Sequence, residues 1–290
     1  MGISDLFGKA FGILKANPKI ILPYLAYTAI IGVISIYVSL SIAGSASAAG
    51  VNMASGFFSQ AATTLVKLIP LLIFVIIVAV FATPFLIAMY ISIADQGYKS
   101  KTVYLAKAAN VAKSNYLNML LALILVGVIL IIVVLALAAL FGLPALVIGH
   151  GIGRVLWLLL GVIVSVVVLV ALALCLYETY TVLILERLGP IAAIERSFQI
   201  GKQKMGPLFK VLLLSMVIAI AFVIVDVIVV FVIQFLLGIS GYKLLGLGIA
   251  QTINFILGSA FNAWFMMVPV AFYKAYVGKA KASRRRRGAR

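Results

Sequence analysis

The chain has six acidic residues, one histidine and one cysteine, and they do not cluster along the sequence. A hydrolase or transferase needs a nucleophile beside a base, a carboxylate pair or a metal cluster, and none of these can be assembled from neighbouring positions. His150 lies in Gly149-His-Gly-Ile-Gly153 with no second His, Cys or carboxylate close by, so it reads as an exposed or interfacial histidine and not as a metal ligand. The same glycines lack the strand and the lysine of a phosphate-binding loop and read as a tight turn. No catalytic, metal or cofactor-binding site is expected, no cofactor is implied, and the chain reads as a non-enzyme.

The residue most able to do chemistry is Asp226. It falls near the middle of an apolar run that begins at Leu208, about 27 Å along a straight helix from that start. Intramembrane carboxylates are expensive and pair with something, usually inside a helix bundle. Gln251, Asn254, Gly258 and Asn262 recur at three- and four-residue steps, so they share one helix face in the following apolar run. Measured inward from the intervening loop, Asp226 is expected at the depth of Gly258 to Asn262, with Asn262 the favoured partner. Gln234 lies two turns above it. Two readings stay open: amides and small residues gluing neighbouring helices together, or a polar seam that binds or conducts a small solute or ion.

The elements that must position these residues follow from hydropathy. The chain is 66% hydrophobic and 10% charged, whereas soluble domains are roughly half apolar and about a quarter charged. Runs of about 20 apolar residues cross a hydrocarbon layer as helices, because strands with open edges leave backbone groups unpaired in lipid. Six spans are predicted: Ile20 to Gly44, Leu68 to Asp95, Leu117 to Pro144, Val155 to Leu185, Leu208 to Gly238 and Gly246 to Tyr273. The first is too long for a signal-peptide core and lacks a convincing cleavage site, so it reads as a retained span. Leu6 stands where an N-myristoylation signal needs Ser or Thr. Cys175 has no cysteine partner and falls inside the fourth span. Of the 23 Lys and Arg, only Lys67, Arg154 and Lys243 lie beside loops assigned outside. The positive-inside rule therefore predicts a plasma-membrane protein with both termini cytoplasmic.

A short amphipathic segment precedes each odd-numbered span. Lys9-Ala-Phe-Gly-Ile-Leu-Lys15-Ala-Asn17 aligns with Lys107-Ala-Ala-Asn-Val-Ala-Lys113-Ser-Asn115, and a weaker copy runs from Arg196 through Lys202 to Lys204. Leu6, Phe7, Ala10, Phe11 and Leu14 form one helical stripe, with Ser4 as a candidate cap. Gly189-Pro190 opens the third copy, in which Ile191, Ile194 and Phe198 share a face. The predicted fold class is thus all-α: a polytopic membrane bundle of six transmembrane helices, arranged as three hairpins each preceded by an interfacial helix. The predicted domain covers residues 1–278, with repeat units at about 4–95, 100–185 and 189–276, followed by a basic cytoplasmic tail at 279–290. Such units would be related by an axis along the membrane normal.

The segment Leu188-Gly-Pro-Ile-Ala-Ala-Ile-Glu-Arg-Ser-Phe-Gln-Ile-Gly-Lys-Gln-Lys-Met-Gly-Pro-Leu-Phe209 and the opening Phe11-Gly-Ile-Leu-Lys-Ala-Asn-Pro-Lys19 carry a family resemblance. They resemble six-span proteins akin to the membrane domain of glycerophosphodiester phosphodiesterases and to YciC-like membrane proteins. The resemblance implies a six-helix module, sometimes attached to a lipid-headgroup hydrolase that is absent from this chain.

The tail cations Lys279, Lys281, Arg284, Arg285, Arg286, Arg287 and Arg290 are candidate contacts for anionic headgroups, each worth about 1 kcal/mol near a membrane surface. Polybasic tails also bind RNA, but here no aromatic residues interleave the cations, so lipid is preferred. Asp95, Glu178 and the Glu186-Arg187 pair read as anchors at span ends. Tyr90, Tyr98, Tyr177, Tyr180, Tyr273 and Tyr276 read as an interfacial aromatic belt, and Pro84 and Pro269 as kinks. The function expected is a non-enzymatic membrane module whose basic inner face meets anionic lipids, a protein partner or a second copy. The alternative is a transporter or channel using the seam at Asp226.

Overall fold

The computed structural model describes residues 2–33, 56–100, 102–148, 151–239 and 243–278, and among them there are helices and no strands. In chain order these are α1 (Ile3–Ala16), α2 (Pro18–Val33, opening in a 3-10 turn), α3 (Gly56–Lys99), α4 (Leu105–Ser114), α5 (Tyr116–Val147) and α6 (Ile152–Leu176). They are followed by α7 (Thr179–Glu186), α8 (Pro190–Gln203), α9 (Met205–Ile239), α10 (Lys243–Phe265) and α11 (Val268–Phe272), the last running into a π-helical turn at Tyr273–Gly278. Five segments are long and apolar enough to cross a membrane: Ile69–Lys99, Tyr116–Val147, Ile152–Glu186, Met205–Leu237 and Gly248–Gly278. They fall on predicted spans two to six. The predicted first span is helical over its described part, Pro18–Val33, and its remainder lies outside the described residues.

Two predicted spans are interrupted, each for a local reason. Pro269 has no N–H to donate and its ring would strike the carbonyl of Phe265, so α10 stops at Phe265 and α11 restarts at Val268. Met267, Val268, Val270, Ala271 and Phe272 are fully buried around this break, which makes it a packing bend. α3, by contrast, runs through Pro84 without interruption. The second break, at Tyr177 and Glu178, contains no proline. Here α8 crosses span four so closely that a Cβ on Gly201 would sit 2.6 Å from the Cα of Cys175. The Ser197 hydroxyl donates to the Cys175 carbonyl at 2.7 Å. That carbonyl would otherwise accept the Thr179 N–H of a continuous helix, and Thr179 instead begins α7.

The core gathers where the short helices meet the span ends. Leu6 and Ala10 of α1, Tyr90, Ile93 and Ala94 of α3, and Ala108 and Ala112 of α4 belong to one buried cluster. Met119, Leu174, Ala193, Leu208 and the Met267 to Phe272 stretch complete it. The distant stretches of the spans bury far less, with Leu143, Val147, Val162, Phe231 and Ile239 all exposed. That distribution suits segments that end in lipid and not in water.

α4 and α8 turn a narrow, small-residue face inward, whereas α1 buries its larger stripe of Leu6, Phe7, Ala10, Ile13 and Leu14. Ala193, Ser197 and Gly201 follow at four-residue steps in α8 and are all buried, as are Ala108 and Ala112 in α4. Small residues allow backbones to approach closely, which matters because lipid supplies no hydrophobic force between helices. α1, α4 and α8 end on Asn17, Asn115 and Lys204, which are matching positions when Lys9, Lys107 and Arg196 are aligned. At the start of α2, Pro23 disturbs the first turn and the buried Tyr90 hydroxyl fills the opening. It donates to the Ile20 carbonyl at 2.8 Å and accepts the Tyr24 N–H at 3.3 Å. Tyr90 is thus a clamp between α2 and α3, which corrects its assignment to an aromatic belt. α2 also lies along α10 through a 2.7 Å contact between the Thr28 and Ser259 hydroxyls.

Gly201→Ala should therefore lower stability by about 1–3 kcal/mol, the usual cost of overpacking a close contact. Gly8→Ala, with nothing within 4 Å of the added Cβ, should be neutral or slightly stabilising through helix propensity. Thermal melts of the two purified variants in detergent check the contrast.

Candidate functional site

The predicted seam lies between α9 and α10, which pack antiparallel. Phe222 stacks on Phe261 at 4.1 Å between ring centroids, and a Cβ on Gly246 would come 2.9 Å from the Cβ of Leu237. In that register Asp226 meets Asn254, whose side-chain amide donates to the carboxylate Oδ2 at 2.8 Å. The expected partner, Asn262, instead donates to the Gly258 carbonyl of its own helix at 2.8 Å. The antiparallel register set by Phe222–Phe261 and Leu237–Gly246 places Asp226 opposite Leu257, so Asn254, one helical turn toward the loop, lies nearer to it than Asn262.

Of the five intramembrane candidates, the structure brings together only Asp226 and Asn254. Gln234 is exposed and Gln251 half-buried, and neither has a hydrogen-bond partner among the described residues. The second carboxylate oxygen of Asp226, Oδ1, is buried with no partner among those residues. The geometry is that of a single amide–carboxylate bond joining two helices.

A denser set of polar contacts sits at the other end of the spans. Asp95 accepts from Lys99 at 2.6 Å and from Lys274 of the π-helical turn. Glu186 accepts the Tyr273 hydroxyl at 2.6 Å and lies 3.5 Å from the Arg196 guanidinium. Asp95 and Glu186 therefore tie helices of the same chain together. Glu178 differs from both. It is 1% exposed, and neither carboxylate oxygen has a hydrogen-bond partner among the described residues. Burying an unpaired charge costs several kcal/mol, so the burial of Glu178 overturns its reading as a solvated anchor. Tyr273, 6% exposed and bonded to Glu186, likewise leaves the aromatic belt.

Sequence reasoning missed these contacts because their partners are far apart in the chain. The proline at 269 and the small residues at 193, 197 and 201 were the available signals. Among the described residues no three His, Cys, Asp or Glu side chains could together hold a metal. His150 and the tail cations Lys279, Lys281, Arg284, Arg285, Arg286, Arg287 and Arg290 lie outside the described residues.

Helices alone among the described residues, five of them apolar and of membrane length, define the class of multi-pass membrane proteins. Compared with known proteins, it matches no family model, no curated protein and no solved structure.

Asp226→Asn should fold and melt like the parent, because an amide still bonds to Asn254. Asp226→Leu strands the Asn254 amide and should cost about 0.6–2 kcal/mol, the range of interhelical hydrogen bonds in membranes. Melting curves in one detergent would read the difference, and equal stability of both variants would remove the bond from the packing of α9 and α10.

Proposed function

We propose that the chain is a non-enzymatic membrane module of six spans, built from three units of a short interfacial helix and a transmembrane hairpin. Both termini face the cytoplasm, and the basic inner face engages anionic lipid headgroups or a protein partner. The YciC-like and phosphodiesterase-associated membrane domains that the Leu188 to Phe209 segment resembles are the proposed kin.

The observation that carries this reading is the division of α8 into three faces. Ala193, Ser197 and Gly201 pack inward, and Glu195 and Lys202 line a charged side. Between them Ile191 is 66% exposed, with Ile194 and Phe198 beside it only half-buried. An apolar strip left uncovered next to cations is the pattern of a helix lying in a membrane surface. In α1, Phe11 is 56% exposed and occupies the position that matches Phe198 when the basic residues are aligned. The three-unit reading draws on the matching ends of α1, α4 and α8.

The second reading, transport along the α9–α10 seam, is favoured by the unpartnered Oδ1 of Asp226. A conducting seam needs a chain of polar groups, and here Gln234, Gln251 and Asn262 do not join the pair.

In liposomes, tryptophans substituted for Phe11 and Phe198 should be quenched by lipids brominated near the headgroup, and more strongly as anionic lipid is added. Cysteine at Ser47 should label from outside and at Ser100 from inside. Quenching by aqueous iodide alone would place both helices in water and end the interfacial reading. Cation or proton flux abolished by Asp226→Asn would establish the transport reading instead.

A further inference from the structure

We infer that a cleft between the inner end of α3, the α4–α5 junction and the α7–α8 turn binds the phosphate group of an anionic phosphate ester, with Lys107 and Arg187 as its cationic ligands. The proposal rests on the reading of the inner face as lipid-engaging and gives that face a defined site. The cleft has a volume of about 670 Å³, several times what a bare phosphate fills, so it has room for the ester's glycerol.

Its walls are arranged for an anion with an apolar stem. Lys99, Lys107 and Arg187 line it against one carboxylate, Asp95. That carboxylate is already engaged by Lys99 and by Lys274 behind it, so its charge is offset before any ligand arrives. Lys107, Arg187 and Asn118 are exposed and have no hydrogen-bond or ion-pair partner among the described residues. Other polar groups on the wall are held in place: the Gln96 side chain accepts the Tyr104 N–H at 3.1 Å, and the Asn115 amide donates to the Val111 carbonyl at 2.9 Å. Val111, Ile184, Leu185 and Leu188 supply the apolar side. A lysine point charge and a guanidinium fork are the side chains best suited to phosphate oxygens.

Arg187 adds an independent observation. It caps α7 in the left-handed region, φ 55° and ψ 45°, and is the one non-glycine residue with positive φ among the described residues. Glycine is the ordinary occupant of such a cap, and a glycine stands two positions later at Gly189. A strained cap held by arginine points to use of its side chain. Gly189 is also the N-cap of α8, so the start of that helix forms part of the same wall.

The test uses the purified full chain. In phosphatidylcholine nanodiscs doped with phosphatidylglycerol, native mass spectrometry should find an anionic lipid retained with at least tenfold preference. Lys107→Gln with Arg187→Gln should lose that preference without lowering the melting temperature, since neither residue has a partner to lose. Arg187→Gly should raise the melting temperature while weakening retention, and unchanged retention in that variant would overturn the role of Arg187. If the preference survives the double substitution but disappears when Arg284, Arg285, Arg286 and Arg287 become Gln, the cleft is overturned and the lipid-engaging module stands. If no lipid preference exists but glycerol 3-phosphate or inorganic phosphate raises the melting temperature of the parent and not of the double variant, the cleft stands and the lipid reading falls. Absence of both effects overturns both.

Discussion

The crossing of α8 over span four at Cys175 is the contact on which the end of this protein that carries the short helices depends. In lipid, helices gain little from hiding apolar surface, so close packing and hydrogen bonds must hold them together. Gly201 permits backbone contact at Cys175, and the Ser197 hydroxyl takes the carbonyl that would otherwise continue the helix. Three features follow in order along the chain. Span four breaks at Tyr177 and Glu178, Glu178 is enclosed, and α7 ends in the left-handed cap at Arg187 that turns the chain back into α8. A bulkier residue at position 201 would strike the Cys175 backbone directly before the break.

Charge placement in the described residues follows the same economy. Asp95 and Glu186 stand between helices distant in sequence, with Lys274, Tyr273 and Arg196 as partners. Asp226 stands alone in the long apolar span α9 and takes one amide from Asn254. Clustering the ion pairs at one end and leaving isolated bonds such as Asp226–Asn254 and Thr28–Ser259 along the helices is what a low-dielectric surrounding favours. The exposed apolar side chains Phe11 of α1 and Ile191 of α8 belong to the clustered end.

The spans were legible because a run of about 20 apolar residues is a signal that tertiary context rarely erases. Their ends were less so, since helix continues through polar residues such as Lys243 that hydropathy assigns to the loop. Among the amides on one face of α10, depth alone did not say which reaches Asp226, and it is Asn254, one turn nearer the loop than the residue opposite it. In α8 the apolar stripe at Ile191, Ile194 and Phe198 was readable, but the protein-facing side proved to be Ala193, Ser197 and Gly201. Hydrophobic periodicity marks the side that avoids water, and in a membrane protein that side can face lipid while small residues face the neighbouring helix. Glu178, Tyr90 and Tyr273 were misread because a position near a span end gives no information about which helix will cover it.

The central claim is that the inner end, and not the α9–α10 seam, is where this protein meets its ligand. Hydrogen–deuterium exchange of the full chain in nanodiscs addresses it directly, comparing zwitterionic with anionic bilayers. The account predicts slower exchange with anionic lipid in α4 and in the residues from Arg187 into the first turn of α8, and no change around Asp226 and Asn254. Lipid-dependent exchange confined to Asp226 and Asn254, with α4 and α8 unaffected, would contradict it.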